Sequence, residues 1–378
     1  MELQKKLVQY RRELHRFPEL SMKEYQTTRN IRRWLTENGI ALLDYPLEVG
    51  AVAEVKGAMP GPTIALRADI DALPISETSG VEFASQNPGV MHACGHDFHT
   101  ASMLGTAILL QQMREKLKGS VRIIFQPAEE TAAGAKWIVQ KGVLKDVKAI
   151  FGFHNRPDLK VGVIGIREGA LMASVDRFEI ILSGRGGHAG MPEKCIDPIV
   201  LGSQTVLAIQ SIVSRRLSSF DNAVVSITHI SSGNTWNVIP DQIYLEGTVR
   251  TFQKGARDQI PVLLNEIVDG IAAANGAQAQ FIWHPLLPMV DNFAGFTSLV
   301  TETAREEGLN IVEGERNSGG EDFAYYQTIL PGFFVWMGVE GDRDWHHPAF
   351  HLKEEALVIV ARYFARLAQN ALAELQDT

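Results

Sequence analysis

Two short stretches of this chain hold side chains that can do chemistry. Met91-His-Ala-Cys-Gly-His-Asp-Phe-His-Thr100 packs Cys94, His96, Asp97 and His99 into one loop. Thiolate, imidazole and carboxylate are the side chains that bind transition metals. The Cys94-x-His96 spacing lets both side chains turn toward one point, with Gly95 free to bend the backbone tightly. The second stretch is Phe125-Gln-Pro-Ala-Glu-Glu130. Adjacent carboxylates at a strand end point in different directions. One can ligate a metal while the other takes a proton from an activated water and passes it to a leaving group. His154 ends another apolar run, and His346 and His347 precede the last helix-like segment.

Each of these residues also has a plain structural reading. A free cysteine is commonly a small buried hydrophobe. Glu129-Glu130 could be acids that favour a helix start. A lone His154 could be a satisfied strand-end histidine. Cys94 could also be a nucleophile with His99 as its base. That reading leaves Glu129, Glu130 and His154 without work, whereas a metal site uses all of them.

The elements that must position these groups follow from periodicity and breakers. Helices are expected over residues 2–17, ended by Pro18, and over 23–38, stopped by Gly39. Strands are expected at 51–55, 63–67, 121–125 and 149–153, with helices after the Cys94 loop and after Glu130. This alternation indicates a mostly parallel sheet in an α/β layer. The texture changes after residue 171. Strand 176–182, helix 197–213, strands 223–230 and 242–250, helix 257–274 and strand 277–283 follow in the order βαββαβ, a split ferredoxin-like unit. The α/β texture then returns, with a helix at 295–307, a strand at 333–337 and a terminal helix at 354–375. The expected organisation is a catalytic domain over 1–173 and 288–378, with a small domain inserted over 174–287. Functional groups from the first domain converge beyond the carboxyl ends of its strands.

Composition narrows the function. A chain of 378 residues suggests two domains. With 45% apolar and 21% charged residues it reads as an ordinary soluble globular protein. A net charge of -8 and the lack of any basic run argue against nucleic-acid and acidic-membrane partners. No stretch resembles a signal peptide or a membrane span. Two cysteines, Cys94 and Cys195, exclude a disulfide framework, and a reducing cytoplasm fits best.

The strings MHACGHDFHT, FQPAEET, FGFHN, GRGGHAGMP, NVIPD with EGTVRTF, GGEDFAYY and WHHPAF occur in this order along nearly the whole chain. Together they resemble the aminoacylase-type dinuclear metallopeptidases. Within that group the resemblance is to the amidohydrolase branch of hippurate hydrolases, auxin–amino-acid conjugate hydrolases and N-acetyldiaminopimelate deacetylases. The resemblance implies a phosphorylase/hydrolase-like α/β catalytic domain with an inserted ferredoxin-like lid, and a likeness in activity to N-acyl-L-amino-acid amidohydrolases. It implies two divalent ions per subunit, zinc or manganese, with nickel or cobalt also compatible. Cys94 would contact both ions, and His96, Glu130, His154 and His346 would complete the shell. Glu129 would be the general acid/base, and His188 would steady the carbonyl oxygen as it gains charge. Asn237, Arg250 and Gly319 would line the substrate, Arg250 by its bidentate fork. Asp71 would orient a ligand histidine, because Asp69 stands where related aminoacylases carry a metal-binding histidine. Trp345-His346-His347-Pro348 departs at two places from the family's Leu-His-Ser-Pro. The implied partners are a small N-acyl amino acid and a second copy of the chain, joined through the lid. A dedicated N-acetyldiaminopimelate deacetylase and a catalytically silent binding protein are the other readings.

Overall fold

A computed structural model describes residues 2–376. Two compact units separate by their internal contacts. The first comprises residues 1–171, 290–315 and 322–378, and the second residues 172–289 and 316–321.

The first unit is built on an eight-stranded sheet. Its order is Ala41–Leu42, Ala51–Lys56, Lys118–Gln126, Met59–Asp69, Val147–Arg156, Gly332–Gly338, Val163–Ile166 and Asn310–Glu313. The four central strands, from Lys118–Gln126 to Gly332–Gly338, run parallel. Antiparallel pairs flank them on both sides. The central strands are apolar on both faces because helices cover both faces. Ile123, Phe125, Phe151, Phe153, Phe333 and Val335 are all buried. Each such side chain contributes roughly 1.5–3 kcal/mol of transfer free energy.

The helix His96–Gln112 lies between Glu2–Arg16 and Ala356–Glu374 and is buried on nearly every side, not on one face. Gly105 makes that packing possible. A Cβ there would meet Leu7 at 2.7 Å and Ala361 at 2.9 Å. The strands outlast their apolar cores by a few residues at each end. The short strands Val163–Ile166 and Asn310–Glu313, unexpected from sequence, complete one sheet margin, and Gly169–Met172 pairs separately with Val290–Asn292.

The second unit is an antiparallel sheet of order Ala223–Ser232, Gln242–Thr251, Ser174–Ser183 and Gln278–Leu287. Numbered within the unit this order is 2-3-1-4, the ferredoxin-like arrangement. Alternation along Ser174–Ser183 sends Phe178, Ile180 and Leu182 into the core, against the helices Pro198–Ser211 and Lys254–Ala274. Asp197 caps the first of these helices by accepting the N–H of Ile199 at 2.9 Å, with Pro198 at the first helical position. Among the described residues no helix is long and apolar enough to cross a membrane.

Candidate metal centre

The ends of the parallel strands bring the chemical groups together, as expected for an open α/β sheet. Strand Met59–Asp69 delivers Asp69 and, just beyond it, Asp71. Lys118–Gln126 runs into the turn that holds Glu129 and Glu130. Val147–Arg156 carries His154. Cys94 and His96 flank Gly95, which adopts φ +86° at the start of the helix His96–Gln112. A side chain at Gly95 would strain that left-handed backbone and strike Asn155 Nδ2 at 2.6 Å.

The donor atoms of Cys94, His96 and His154 all lie within 4.8 Å of one another. The same holds for Cys94, Glu130 and His346, and for His96, Glu129 and Glu130. Cys94 Sγ is 3.3 Å from His154 Nε2. Glu130 is 3.8 Å from His96 Nε2 through one oxygen and 3.7 Å from His346 Nε2 through the other. Two donors held about 2.0–2.3 Å from one tetrahedral cation sit at about these separations.

Two atoms test whether cations belong here. His96 Nε2 and Glu130 Oε1 are buried and have no hydrogen-bond partner. Leaving such atoms unpaired costs about 1–3 kcal/mol each, and a divalent cation between them removes that cost. The donor set fits: one thiol, three imidazoles and a carboxylate, the soft and borderline ligands of zinc-like ions.

Electrostatics agree. Burial alone would lower His96, but the charges of Asp69, Asp71 and Glu130 overcome it and push the imidazole up to about 10. Burial and the nearby Asp71 and Asp69 raise Glu130 to about 7, against the pull of His96. The pocket is therefore short of positive charge. Burial, reinforced by His99, holds His154 well below the ordinary imidazole range, in the neutral form that ligates metals.

A buried frame aims these ligands. His96 Nδ1 lies 3.1 Å from Asp71 Oδ1, whose other oxygen accepts the Glu130 N–H at 3.0 Å and the Ser21 hydroxyl at 2.7 Å. His154 Nδ1 is 2.8 Å from the Asn155 carbonyl, which leaves Nε2 toward Cys94. Asp69 Oδ2 lies 3.7 Å from His96 Nε2, but Asp69 is not a bare substitute for a histidine. It binds Arg67 at 2.8 Å and His99 Nδ1 at 2.6 Å. His99 Nε2 accepts the Asn155 backbone N–H at 2.9 Å, so both ring nitrogens are engaged and neither serves Cys94 as a base. Arg67 also binds Asp322 at 2.6 Å, and Gln126 bonds to both oxygens of Asp322. Sequence reading missed Glu24, Gln126, Asp322 and Trp345. Gln126, Asp322 and Trp345 fall within quoted strings, but nothing in their type or spacing marked them as parts of the centre.

His346 stands at φ +64°, its N–H donating to the Ala93 carbonyl at 2.9 Å, with its side chain 55% exposed. His188, Asn237, Arg250 and Gly319 all belong to the second unit. His188 lies in the short ladder Gly187–His188 with Val238–Ile239, directly opposite Val238, and its Nδ1 accepts the Gly190 N–H at 3.0 Å. The Asn237 carbonyl accepts the Ala189 N–H at 3.1 Å, so His188 and Asn237 meet at one two-stranded ladder. Arg250 is half-buried on Gln242–Thr251, where burial lowers its guanidinium, and it bonds Thr248 and the Val249 carbonyl. The Gly319 N–H donates to Asn317 Oδ1 at 2.6 Å.

The profile of peptidase family M20/M25/M40 matches residues 65–370. The chain is 58% identical over 372 residues to an N-acetylcysteine deacetylase of Bacillus subtilis (strain 168), covering 98% of each. It is 45% identical over 376 residues to an N-acetyl-L-cysteine deacetylase of the same organism, covering 100% of this chain and 90% of the relative. Its fold matches the crystal structure of a Bacillus subtilis dinuclear metal binding peptidase from the M20 family. That match has a TM-score of 0.91 and 53% identity, over 98% of this chain and 99% of the other.

Proposed function

The chain belongs to peptidase family M20/M25/M40, as a metal-dependent hydrolase of amide bonds, and we propose that its substrates are N-acyl-L-amino acids. N-acetyl-L-cysteine is the leading candidate, on the strength of the two deacetylases it is similar to. The observation that carries this reading is the Glu129-Glu130 pair, grouped with His96 Nε2 at the end of a central strand.

In this reading Cys94, His96, Glu130, His154 and His346 hold two divalent cations. When bound, these would polarise the acyl carbonyl and acidify a water molecule. Zinc suits the thiolate best, with manganese, nickel and cobalt as the other ions of this donor set. Glu130 and the imidazoles keep ligand geometry, and Glu129 moves the protons. Glu129 takes a proton from the attacking water as the C–O bond forms. It returns that proton to the amide nitrogen as the C–N bond breaks, releasing a carboxylic acid and an amine, which part as carboxylate and ammonium once the acid's proton passes to the amine. Asp71 keeps His96 in the tautomer that presents Nε2. His188, Asn237, Arg250 and Gly319 take the oxyanion and substrate roles that the resemblance implies. The protein acts as a homodimer through the second unit, in a reducing compartment that keeps Cys94 a thiol.

Glu129→Gln tests the mechanism. The variant is expected to retain two metal equivalents by elemental analysis, while turnover of N-acetyl-L-cysteine falls about 10²–10⁴-fold. Turnover within a few-fold of the parent removes Glu129 from the reaction. A panel adding N-acetyl-L-methionine, hippurate and N-acetyl-LL-diaminopimelate reads the preference. Strong selectivity for the last would make the chain a biosynthetic deacetylase instead.

A further inference from the structure

We propose that Trp345 is a positioning residue of the metal centre, fastening the loop that carries His346 to the strand that carries His154. The inference rests on the ligand set assigned above. Trp345 Nε1 donates to Asn155 Oδ1 at 3.1 Å, across 190 residues of sequence. Its ring meets the His154 ring edge-on, with centroids 4.9 Å apart and an interplanar angle of 76°. One indole thus touches a ligand imidazole and precedes another ligand in the chain.

Asn155 extends the connection. It is fully buried, and its Nδ2 donates to the Cys94 carbonyl at 2.6 Å and lies 2.9 Å from His99 Nε2. The Trp345–Asn155 bond therefore ties together the Cys94 loop, the His154 strand and the His346 loop. Without the indole N–H, Asn155 Oδ1 loses the donor that sets which way its amide points.

The indole is itself held. The Arg156 guanidinium lies 5.4 Å from the Trp345 ring and 5.4 Å from Trp336, and Asp158 grips the other side of Arg156. Trp345 and Trp336 have centroids 5.9 Å apart. His346, by contrast, is more than half exposed and sits in a left-handed backbone conformation that L side chains rarely adopt. Its place depends on its neighbours, and Trp345 is the neighbour anchored in the protein. Leucine, which the resembled family string carries here, has neither the N–H nor the ring edge.

The test uses full-length protein freed of metal and reloaded with Co²⁺. Affinity is read by competition with a chromophoric chelator, and geometry by the visible absorption of the thiolate- and imidazole-bound ion. Trp345→Leu is expected to weaken binding of at least one Co²⁺ about 10–100-fold and to change the spectrum. The metal-free melting temperature should move little. Trp345→Phe, which keeps the ring edge and loses the N–H, is expected to shift both readouts in the same direction by less. Its milder change also keeps the test open if the leucine variant fails to fold. Parent-like affinity and spectrum in a folded Trp345→Leu or Trp345→Phe variant overturn the proposal. Parent protein that binds no Co²⁺ overturns the ligand set instead, and this inference with it.

Discussion

Glu24 shows how much a single buried carboxyl can do for residues far along the chain. It is fully buried, Oε1 accepts the Ala128 N–H at 2.9 Å, and Oε2 has no partner. Burial, and then the charge of Asp71, push it up to about 7. Ala128 sits at φ +57°, a conformation costing a non-glycine residue about 1–3 kcal/mol, and the next two residues are Glu129 and Glu130. Asp71 accepts the Glu130 N–H in the same turn, and Asp322 accepts the Ala135 N–H at the start of the helix Gly134–Gln140 that follows. Glu24→Ala should leave the Ala128 N–H without an acceptor and cost about 1–3 kcal/mol of stability. Turnover should fall while metal stoichiometry holds, because the turn that aims Glu129 relaxes. Glu24→Gln keeps an acceptor of the same reach and should restore most of both losses. Melting curves and kcat for the pair check this, and equal damage from both substitutions would refute the anchoring role.

At the scale of elements, the N-terminal helix Glu2–Arg16 docks on the metal-loop helix through charge. Asp97 accepts from Arg11 Nε at 3.0 Å and pairs with His15 Nδ1 at 2.8 Å, and His15 Nε2 reaches Glu77 at 3.1 Å. Burial opposes a charge on His15 and Arg11 repels it, but Asp97 and Glu77 overcome both and raise its pKa. The nearby His92 is held down to about 4 by burial and stays neutral, so it does not compete. A histidine raised in the fold stabilises fully below its unfolded pKa, about 6.5, and that contribution is lost as pH rises through the folded value. His15→Gln should therefore cost more stability at pH 6 than at pH 9, measured on metal-free protein by chemical denaturation. A gap that is constant with pH would mean His15 is neutral there. Such contacts explain what the sequence could and could not reveal. The main helices and central strands were legible because apolar period and Gly or Pro breakers are local signals. The four-residue strands Val163–Ile166 and Asn310–Glu313 are too short to show a period, and they exist only because a distant edge pairs with them. Likewise Cys94, His96 and the Glu129-Glu130 pair announce themselves by type and spacing. Glu24, Asp322 and Trp345 do not, since their partners lie 104, 255 and 190 residues away.

For the molecule as a whole, the second unit makes the proposed homodimer testable. Strand Ala223–Ser232 is paired on one side only, by Gln242–Thr251. It contains no proline, lysine or acidic residue, the usual guards of an open edge. The opposite edge, Gln278–Leu287, is blunted by Pro285 and a register break. Ile230, on the open strand, is 53% exposed, and Leu207, on the helix beside it, is 75% exposed. An edge with free backbone groups and flanking apolar side chains is stabilised by pairing with its own twin, because the two-fold arrangement satisfies both strands at once. Light scattering after size exclusion should give twice the 41.7 kDa chain mass. Ile230→Lys places a charge on the edge and should shift the protein to the single-chain mass with unchanged far-ultraviolet circular dichroism. A parent chain that runs as a monomer at micromolar concentration would leave this edge without its twin. An Ile230→Lys variant that stays dimeric would move the interface elsewhere on the protein.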